Sequence, residues 1–361
     1  MSSSRSGPSR ISEYTCRTFE IALLTGAEAL IEKSPTSNGA HERGAKSIKI
    51  HGQGHIFSVS FLVDGKHIVS CGKEGVIRRW AVEDGSQIHA RTPMEVGSSV
   101  YNIAVSRDGK WAVSGTGRGR VIVWNARSHE KVVEFKGHSA AVRAVDISPD
   151  GTRIVTGSDD STASVWMLPT GQRLLGPLRH NDWLVAAKFS PDGRHFATAT
   201  CGGGLIRIYD TQIGDRIADI PIRVNSWFNQ SLAWASDSKR IFALSHCGNI
   251  KCLDVSAGET LSEWPIHSSN DPGCIALTSN GTFIAASDGS SVSFWDTASH
   301  KQIGSVIKHT AGVDSMAISA NYDIVVSGDN TITIWRLRDI LPPPYLDHVS
   351  ATALKENNCA M

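Results

Sequence analysis

Seven short β-like runs end in Trp80, Trp124, Trp166, Tyr209, Leu253, Trp295 and Trp335, spaced by 44, 42, 43, 44, 42 and 40 residues. A fixed beat of this length constrains the fold more than composition does. Each unit is too short to bury its own apolar surface and must stack against copies of itself. Five of the ten tryptophans fall on these positions, so the beat is not chance.

A second landmark keeps the same period. Turns read Val63-Asp64-Gly65, Arg107-Asp108-Gly109, Pro149-Asp150-Gly151, Pro191-Asp192-Gly193 and Ser279-Asn280-Gly281. The fifth unit has Ser236-Asp237-Ser238 without glycine, and the seventh is reduced to Asn321-Tyr322-Asp323. Asp-Gly and Asn-Gly suit tight hairpins because both residues tolerate positive φ. In the third unit Ala141 to Ile147 alternates apolar and polar residues, Arg153 to Thr156 follows the turn, Thr162 to Trp166 returns, and Arg173 to Leu175 completes the set. Four short antiparallel strands per unit make one small twisted sheet and leave no room for the helix of a parallel βαβ fold.

These residues resemble the WD-repeat (WD40) family in period, strand count and signature. Gly54-His55 and Gly137-His138 match the start of the family's unit, and Trp295-Asp296 matches its end, while Tyr209-Asp210 and Leu253-Asp254 keep only the Asp. The resemblance covers residues 46–338 and implies an all-β, seven-bladed β-propeller of four-stranded antiparallel blades. It leaves an N-terminal extension (1–45) and a C-terminal tail (339–361). It also implies that one blade mixes strands from both ends of the chain. The run Ala45 to Ile50 is expected to be the outer strand of the blade ending in Trp335. In the extension, Phe19, Leu23, Ala27, Leu30 and Ile31 fit one face of a helix, against which Gly26 weighs.

In the family, a His, a Ser or Thr, an Asp and the Trp form a hydrogen-bonded tetrad within a blade. His138, Thr156, Asp160 and Trp166 stand at all four positions, and buried groups of this kind must satisfy one another. The first unit keeps His55, Ser70 and Trp80 but has Glu74 in place of Asp. The second has only Ser99 and Arg118 near the His and Asp positions. The fifth, with Cys247 and Leu253, lacks the tetrad, so apolar packing is expected to hold blades two and five.

The composition is that of an ordinary globular chain, 40% hydrophobic with a net charge of +1, which gives no general attraction to nucleic acid or anionic membrane. No apolar run approaches the roughly 18 residues that span a bilayer. Seven cysteines form no CxxC pair, so zinc and redox motifs are absent and reduced thiols fit best. A cytoplasmic protein, with the nucleus as the alternative, is the expectation. No GxSxG elbow, Walker loop, dinucleotide fingerprint or HExxH occurs. His138, Thr156 and Asp160 superficially suggest a catalytic set, but their spacing belongs to the repeat. Neither an enzyme nor a cofactor or metal site is expected.

What remains is surface. By resemblance, the rim of loops entering each inner strand is the contact face, and the mapped positions include Tyr101, Arg143, Trp183, Phe228, Gln230 and Asp314, with Trp227 beside Phe228 and with Lys73 and Asp159 nearby. Aromatic and arginine side chains dominate binding hot spots. The alternative for Trp183, Trp227 and Phe228 is burial between blades four and five. The expected function is a scaffold, monomeric on its own, that holds protein or peptide partners on this top face. The alternative is a substrate receptor or adaptor of a ubiquitin ligase, for which Trp335-Arg336-Leu337-Arg338 meets a Trp-Asp-x-Arg pattern in part. Pro342-Pro343-Pro344-Tyr345 matches the PPxY pattern that WW domains read as a polyproline II ligand, set against a plain proline stop after the last strand.

Overall fold

The structure, a computed structural model, describes residues 31–33, 46–52, 54–89, 94–202, 204–224, 231–266 and 273–346. The described residues form seven antiparallel sheets, and their regular structure is otherwise limited to two 3-10 turns, Leu337–Asp339 and Pro343–Tyr345. Six sheets take their strands consecutively. Blade one is Ile56–Phe61, His67–Gly72 and Val76–Ala81, with an outer edge in two pieces, Gln87–Ile88 and Met94–Glu95. Blade two runs from Val100–Val105 to Lys131–Lys136, blade three from Val142–Ile147 to Arg173–Arg179, and blade four from Leu184–Phe189 to Arg216–Ile220. Blade five runs from Leu232–Trp234 to Thr260–Pro265 and blade six from Ile275–Leu277 to Gln302–Lys308.

Blade seven closes the ring. Its inner strands Ser315–Ile318, Asp323–Gly328 and Thr331–Arg336 come from the C-terminal part of the chain, and Ser47–His51 pairs beside them as expected, with Ser47 opposite Trp335 and Ile50 opposite Ile332. A further strand, Ile31–Lys33, adds to the outer edge, with Ile31 opposite Ile50. Ile31 is therefore in a strand and not on a helical face. Sequence alone could not anticipate this, because the free edge it pairs with exists only once the ring is closed. Phe19, Leu23, Ala27 and Leu30 lie outside the described residues.

The periodic residue has one job throughout: it leaves its own sheet to pack on the blade before it. Trp166 joins Val113, Val121 and Val123 of blade two, and Trp80 joins Ile50, Ile332 and Ile334 of blade seven. Tyr209 meets Val155 and Val165, Leu253 meets Ile206 and Ile208, and Trp335 meets Phe283 and Phe294. Each interface is thus a separate apolar cluster, and the ring has as many cores as blades. Burying a side chain of this size contributes about 1.5–3 kcal/mol by transfer from water.

Side chains also stitch neighbouring inner strands, whose inner edges would otherwise leave backbone groups unpaired. Ser315 Oγ of blade seven accepts from Val59 N at 3.1 Å, Asn102 Nδ2 donates to Ser58 Oγ at 3.2 Å, and Asn102 Oδ1 accepts from Val145 N at 3.0 Å. Asp146 accepts from Phe189 N at 2.9 Å, and Trp234 Nε1 donates to the Lys188 carbonyl at 3.1 Å.

The hairpin turns explain the degraded repeats. Asp64, Asp108, Asp150, Asp192 and Asp237 each accept the backbone N–H two residues on. The residue between has positive φ: Gly65, Gly109, Gly151 and Gly193 in the regular units, but Ser238 (58°) in the fifth and Tyr322 (60°) in the seventh. Tyr322 is held there by packing on Phe283 and by Asn280 Nδ2, which donates to its hydroxyl.

Candidate protein-binding face

Blade three contains the complete tetrad. Asp160 accepts from His138 Nδ1 at 3.0 Å, His138 Nε2 meets Thr156 Oγ1 at 2.7 Å, and Trp166 Nε1 donates to the same hydroxyl at 2.9 Å. With Nδ1–H given to the carboxylate, Nε2 accepts from Thr156, whose oxygen in turn accepts from the indole. Burial works against the charge on Asp160, but bonds from His138 and Thr162 outweigh it and hold the carboxyl well below the usual carboxylate range. The His138 side chain is 1% exposed, so nothing outside the blade reaches it.

The other blades keep fragments. In blade four, His180 Nδ1 donates to the Leu178 carbonyl, and Nε2 faces the hydroxyls of Thr198 (2.9 Å) and Tyr209 (3.2 Å). No acid stands in Asp160's place, and burial, with Arg207 nearby, pulls the imidazole down to about 4. Trp80 and Trp124 donate to Ser70 and Ser114, and Trp295 donates to Ser293. In blade two, Ser99 Oγ donates to the Lys73 carbonyl and Arg118 is exposed. In blade five Leu253 is fully buried against blade four.

His55 corrects an expectation. It does not reach Ser70; its Nε2 lies 2.6 Å from Asp314 Oδ2 of blade seven. The reason is loop length. His138 precedes its inner strand by four residues, whereas His55 precedes Ile56 directly, which leaves Gly52 in the tetrad position. The hydrogen bond that His55 donates to Asp314 raises the pKa of the imidazole against the lowering by burial.

From this pair an arc of contacts runs along the top rim, the face on which the chain enters each inner strand. His55 tilts against Phe57 (centroids 4.9 Å), Phe57 stacks on Tyr101 (5.1 Å, 17°), and the Arg143 guanidinium lies 4.1 Å over the Tyr101 ring. Arg143 Nε donates to both oxygens of Asp159 at 2.9 and 3.0 Å. Asp314, His55, Phe57, Tyr101, Arg143 and Asp159 thus link blades seven, one, two and three. Phe57 was not picked out in the sequence because the displaced His55 shifted the mapping in that unit. Its signal was there: it is the second residue of its inner strand, as Tyr101 and Arg143 are of theirs.

Further round, Trp183 is 50% exposed, directly before the inner strand of blade four. Asp182 accepts from Trp183 N with one oxygen and from Gly202 N with the other, which fixes the loop. Trp183 is therefore not buried between blades. Trp227, Phe228 and Gln230 lie outside the described residues, so the aromatic cluster expected there rests on Trp183. Lys73 is exposed on the adjoining loop of blade one.

The tail is a second correction. Pro343–Tyr345 forms a 3-10 turn, not an extended polyproline II segment, although Pro342 itself has φ −61° and ψ 146°. Tyr345 packs edge-on against Phe283 (6.4 Å) and, with Leu346, joins the cluster between blades six and seven. Pro342, Pro343 and Pro344 are exposed, and the tyrosine that a WW domain would read is half-buried against the ring. Arg336 ends the last strand and Leu337 is buried in the same cluster.

A ring of seven sheets with this tetrad and this period defines a repeat propeller. The family described as "WD domain, G-beta repeat" matches residues 45–81, 92–125, 129–167, 172–210, 258–296 and 300–336, and the chain belongs to it. The unit left unmatched, blade five, is the one with Ser238 in its turn and Leu253 for its aromatic. Human "U3 small nucleolar RNA-interacting protein 2" is 32% identical over 102 residues, 25% of this chain, and the mouse protein of that name matches equally. The Oryza sativa subsp. japonica "U3 snoRNP-associated protein-like YAOH" is 31% identical over 116 residues. The chain spans about a fifth, 22%, of the length of these curated relatives. Solved structures of U3-55K (TM-score 0.66, 20% identity) and of the RRP9 WD40 repeats (TM-score 0.65, 19% identity) each align over 79% of this chain and over 96% and 94% of their own. At such identities the likeness concerns the fold.

Proposed function

We propose that the protein is a non-catalytic scaffold whose top rim holds a partner protein or peptide. The observation that carries this reading is the arc from Asp314 to Asp159, continued by the half-exposed Trp183. Aromatic rings and an arginine are fixed there by one another, so a partner docks on a surface that loses little side-chain entropy. Residue types of this kind supply most of the binding energy at interfaces. The buried His138–Thr156–Asp160 set supports the non-catalytic part, since a substrate has no path to it.

The test is capture of partners by the full chain, compared with the Tyr101→Ala, Arg143→Ala and Trp183→Ala variants. Loss of the same partner in at least two variants that melt like wild type is the expected result. Unchanged capture in all three would refute the top rim as the contact face.

A place in an RNA–protein particle is the second reading, favoured by the names of the relatives. It sits poorly with the expectation that nucleic acid is not engaged, and it moves the weight of localisation from the cytoplasm towards the nucleus. The ubiquitin-ligase role has only the partial pattern at Trp335 to Arg338 behind it. Its alternative route, through the PPPY tail, conflicts with the packing of Tyr345.

A further inference from the structure

The centre of the ring contains a cavity of about 360 Å³, lined by the second half of the inner strands of all seven blades and, at the end opposite the top rim, by Arg107 and Pro191 of the turns that follow the inner strands of blades two and four. One register position round this channel reads Ser60, Ala104, Asp146, Lys188, Ala233, Ala276 and Ala317. Five of these seven are small, which leaves the space open, and two are charged and lie on adjacent blades.

The two charged members are not equivalent. Asp146 is structural: it accepts from Phe189 N and so fastens blade four to blade three. Lys188 has no such task. Its backbone carbonyl accepts from Trp234, but among the described residues its ammonium has neither a hydrogen bond nor an ion pair. A second cation joins it. Arg107, on the turn of blade two, reaches past blade three to the Pro191 carbonyl of blade four at a long 3.5 Å, which places its guanidinium at the mouth of the same cavity. Both cations act on Asp146, while burial, the larger influence, pushes that carboxyl up. Two cations thus face one carboxylate that is already hydrogen-bonded to the backbone. The volume is that of a small-ligand pocket.

We propose that the lower half of the central channel is a binding site for a small oxyanion, a phosphate monoester, held by Lys188 and Arg107. The phosphate enters from the face of the turns that carry Arg107 and Pro191, and Lys188 supplies the inner charge and Arg107 the outer, forked donor. The same chemistry comes from two sources, a free phosphorylated metabolite or a phosphorylated side chain of a partner.

The experiment is titration calorimetry on the full chain in phosphate-free buffer, with O-phosphoserine and with a short peptide carrying an internal phosphoserine. One-site binding of at least one probe is expected, with Kd raised at least tenfold by Lys188→Met and by Arg107→Gln. Asp146→Asn, which keeps an acceptor for Phe189 N while removing the negative charge, is expected to tighten binding severalfold. Arg107 is exposed on a turn, so its variant keeps the question open to measurement even if Lys188→Met fails to fold. Binding of O-phosphoserine alone assigns the site to a free metabolite, and binding of the peptide assigns it to a partner side chain. No saturable binding of either probe, or equal affinity in the wild type and the Arg107 variant, would overturn the proposal.

Discussion

Trp166 and Tyr209 stand at the same register in neighbouring blades, both almost wholly buried, yet their loss should differ. Trp166→Ala removes a large aromatic from the cluster with blade two and leaves Thr156 without its indole donor, so a cost of about 3–5 kcal/mol is expected in urea unfolding. Tyr209→Phe removes one hydroxyl whose partner His180 still meets Thr198, at a cost of about 1 kcal/mol; a loss as large as that of Trp166→Ala would mean that the hydroxyl holds blade four far more firmly than its bond to His180 accounts for. His180 also makes stability depend on pH. Its folded pKa, about 4, lies below the ordinary 6.5, so on acidification the unfolded chain takes up a proton before the folded one does. Stability therefore falls as pH drops from about 6.5 to about 4, by up to about 1.4 kcal/mol per pH unit. His180→Gln should flatten that slope in denaturation curves collected between pH 7 and pH 4, and an unchanged slope would assign it to the carboxylates instead.

At the level of strands and turns, what was legible in the sequence depended on whether the signal was local. The period, the Asp-Gly turns and the alternation of Ser47–His51 are properties of short stretches, and the sheets follow them. His55 was misread because it stands three residues closer to its inner strand than His138 does, which turns the imidazole from the blade interior to Asp314. The packing of Tyr345 was not legible because its partner Phe283 lies 62 residues earlier in the chain, beyond any local pattern. The closing strand is the element whose weakness should spread furthest. Ile50 is fully buried between blades seven and one, and Ile50→Ala should cost about 2–5 kcal/mol. Hydrogen exchange should then rise first in Thr331–Arg336, the strand that Ser47–His51 covers. Ile206→Ala, equally buried but inside blade four, should not raise exchange there; if it does, the ring opens everywhere at once.

On the scale of the whole molecule, the ring has no first or last blade as long as both ends of the chain meet in blade seven. A stacked array with free ends unfolds from those ends, because its terminal units have one neighbour instead of two. Here every aromatic of the period packs on the preceding blade, and Trp80 finds its neighbour only because Ser47–His51 completes the sheet that carries Ile332 and Ile334. Removing residues 1–51 leaves blade seven with three strands and takes Ile50 out of that cluster. It also frees the backbone groups of Thr331–Arg336 along one edge, an unpaired surface of the kind that recruits other strands. The His55–Asp314 contact survives in such a chain, but a single half-exposed pair is worth no more than about 1 kcal/mol and does not replace a strand. The shortened chain is therefore expected to melt at a lower temperature and over a wider range, and to associate as its concentration is raised. Scanning calorimetry and light scattering at two concentrations check this. A transition as sharp and as high as that of the full chain would mean that the interfaces between blades one and six hold the ring without its closure.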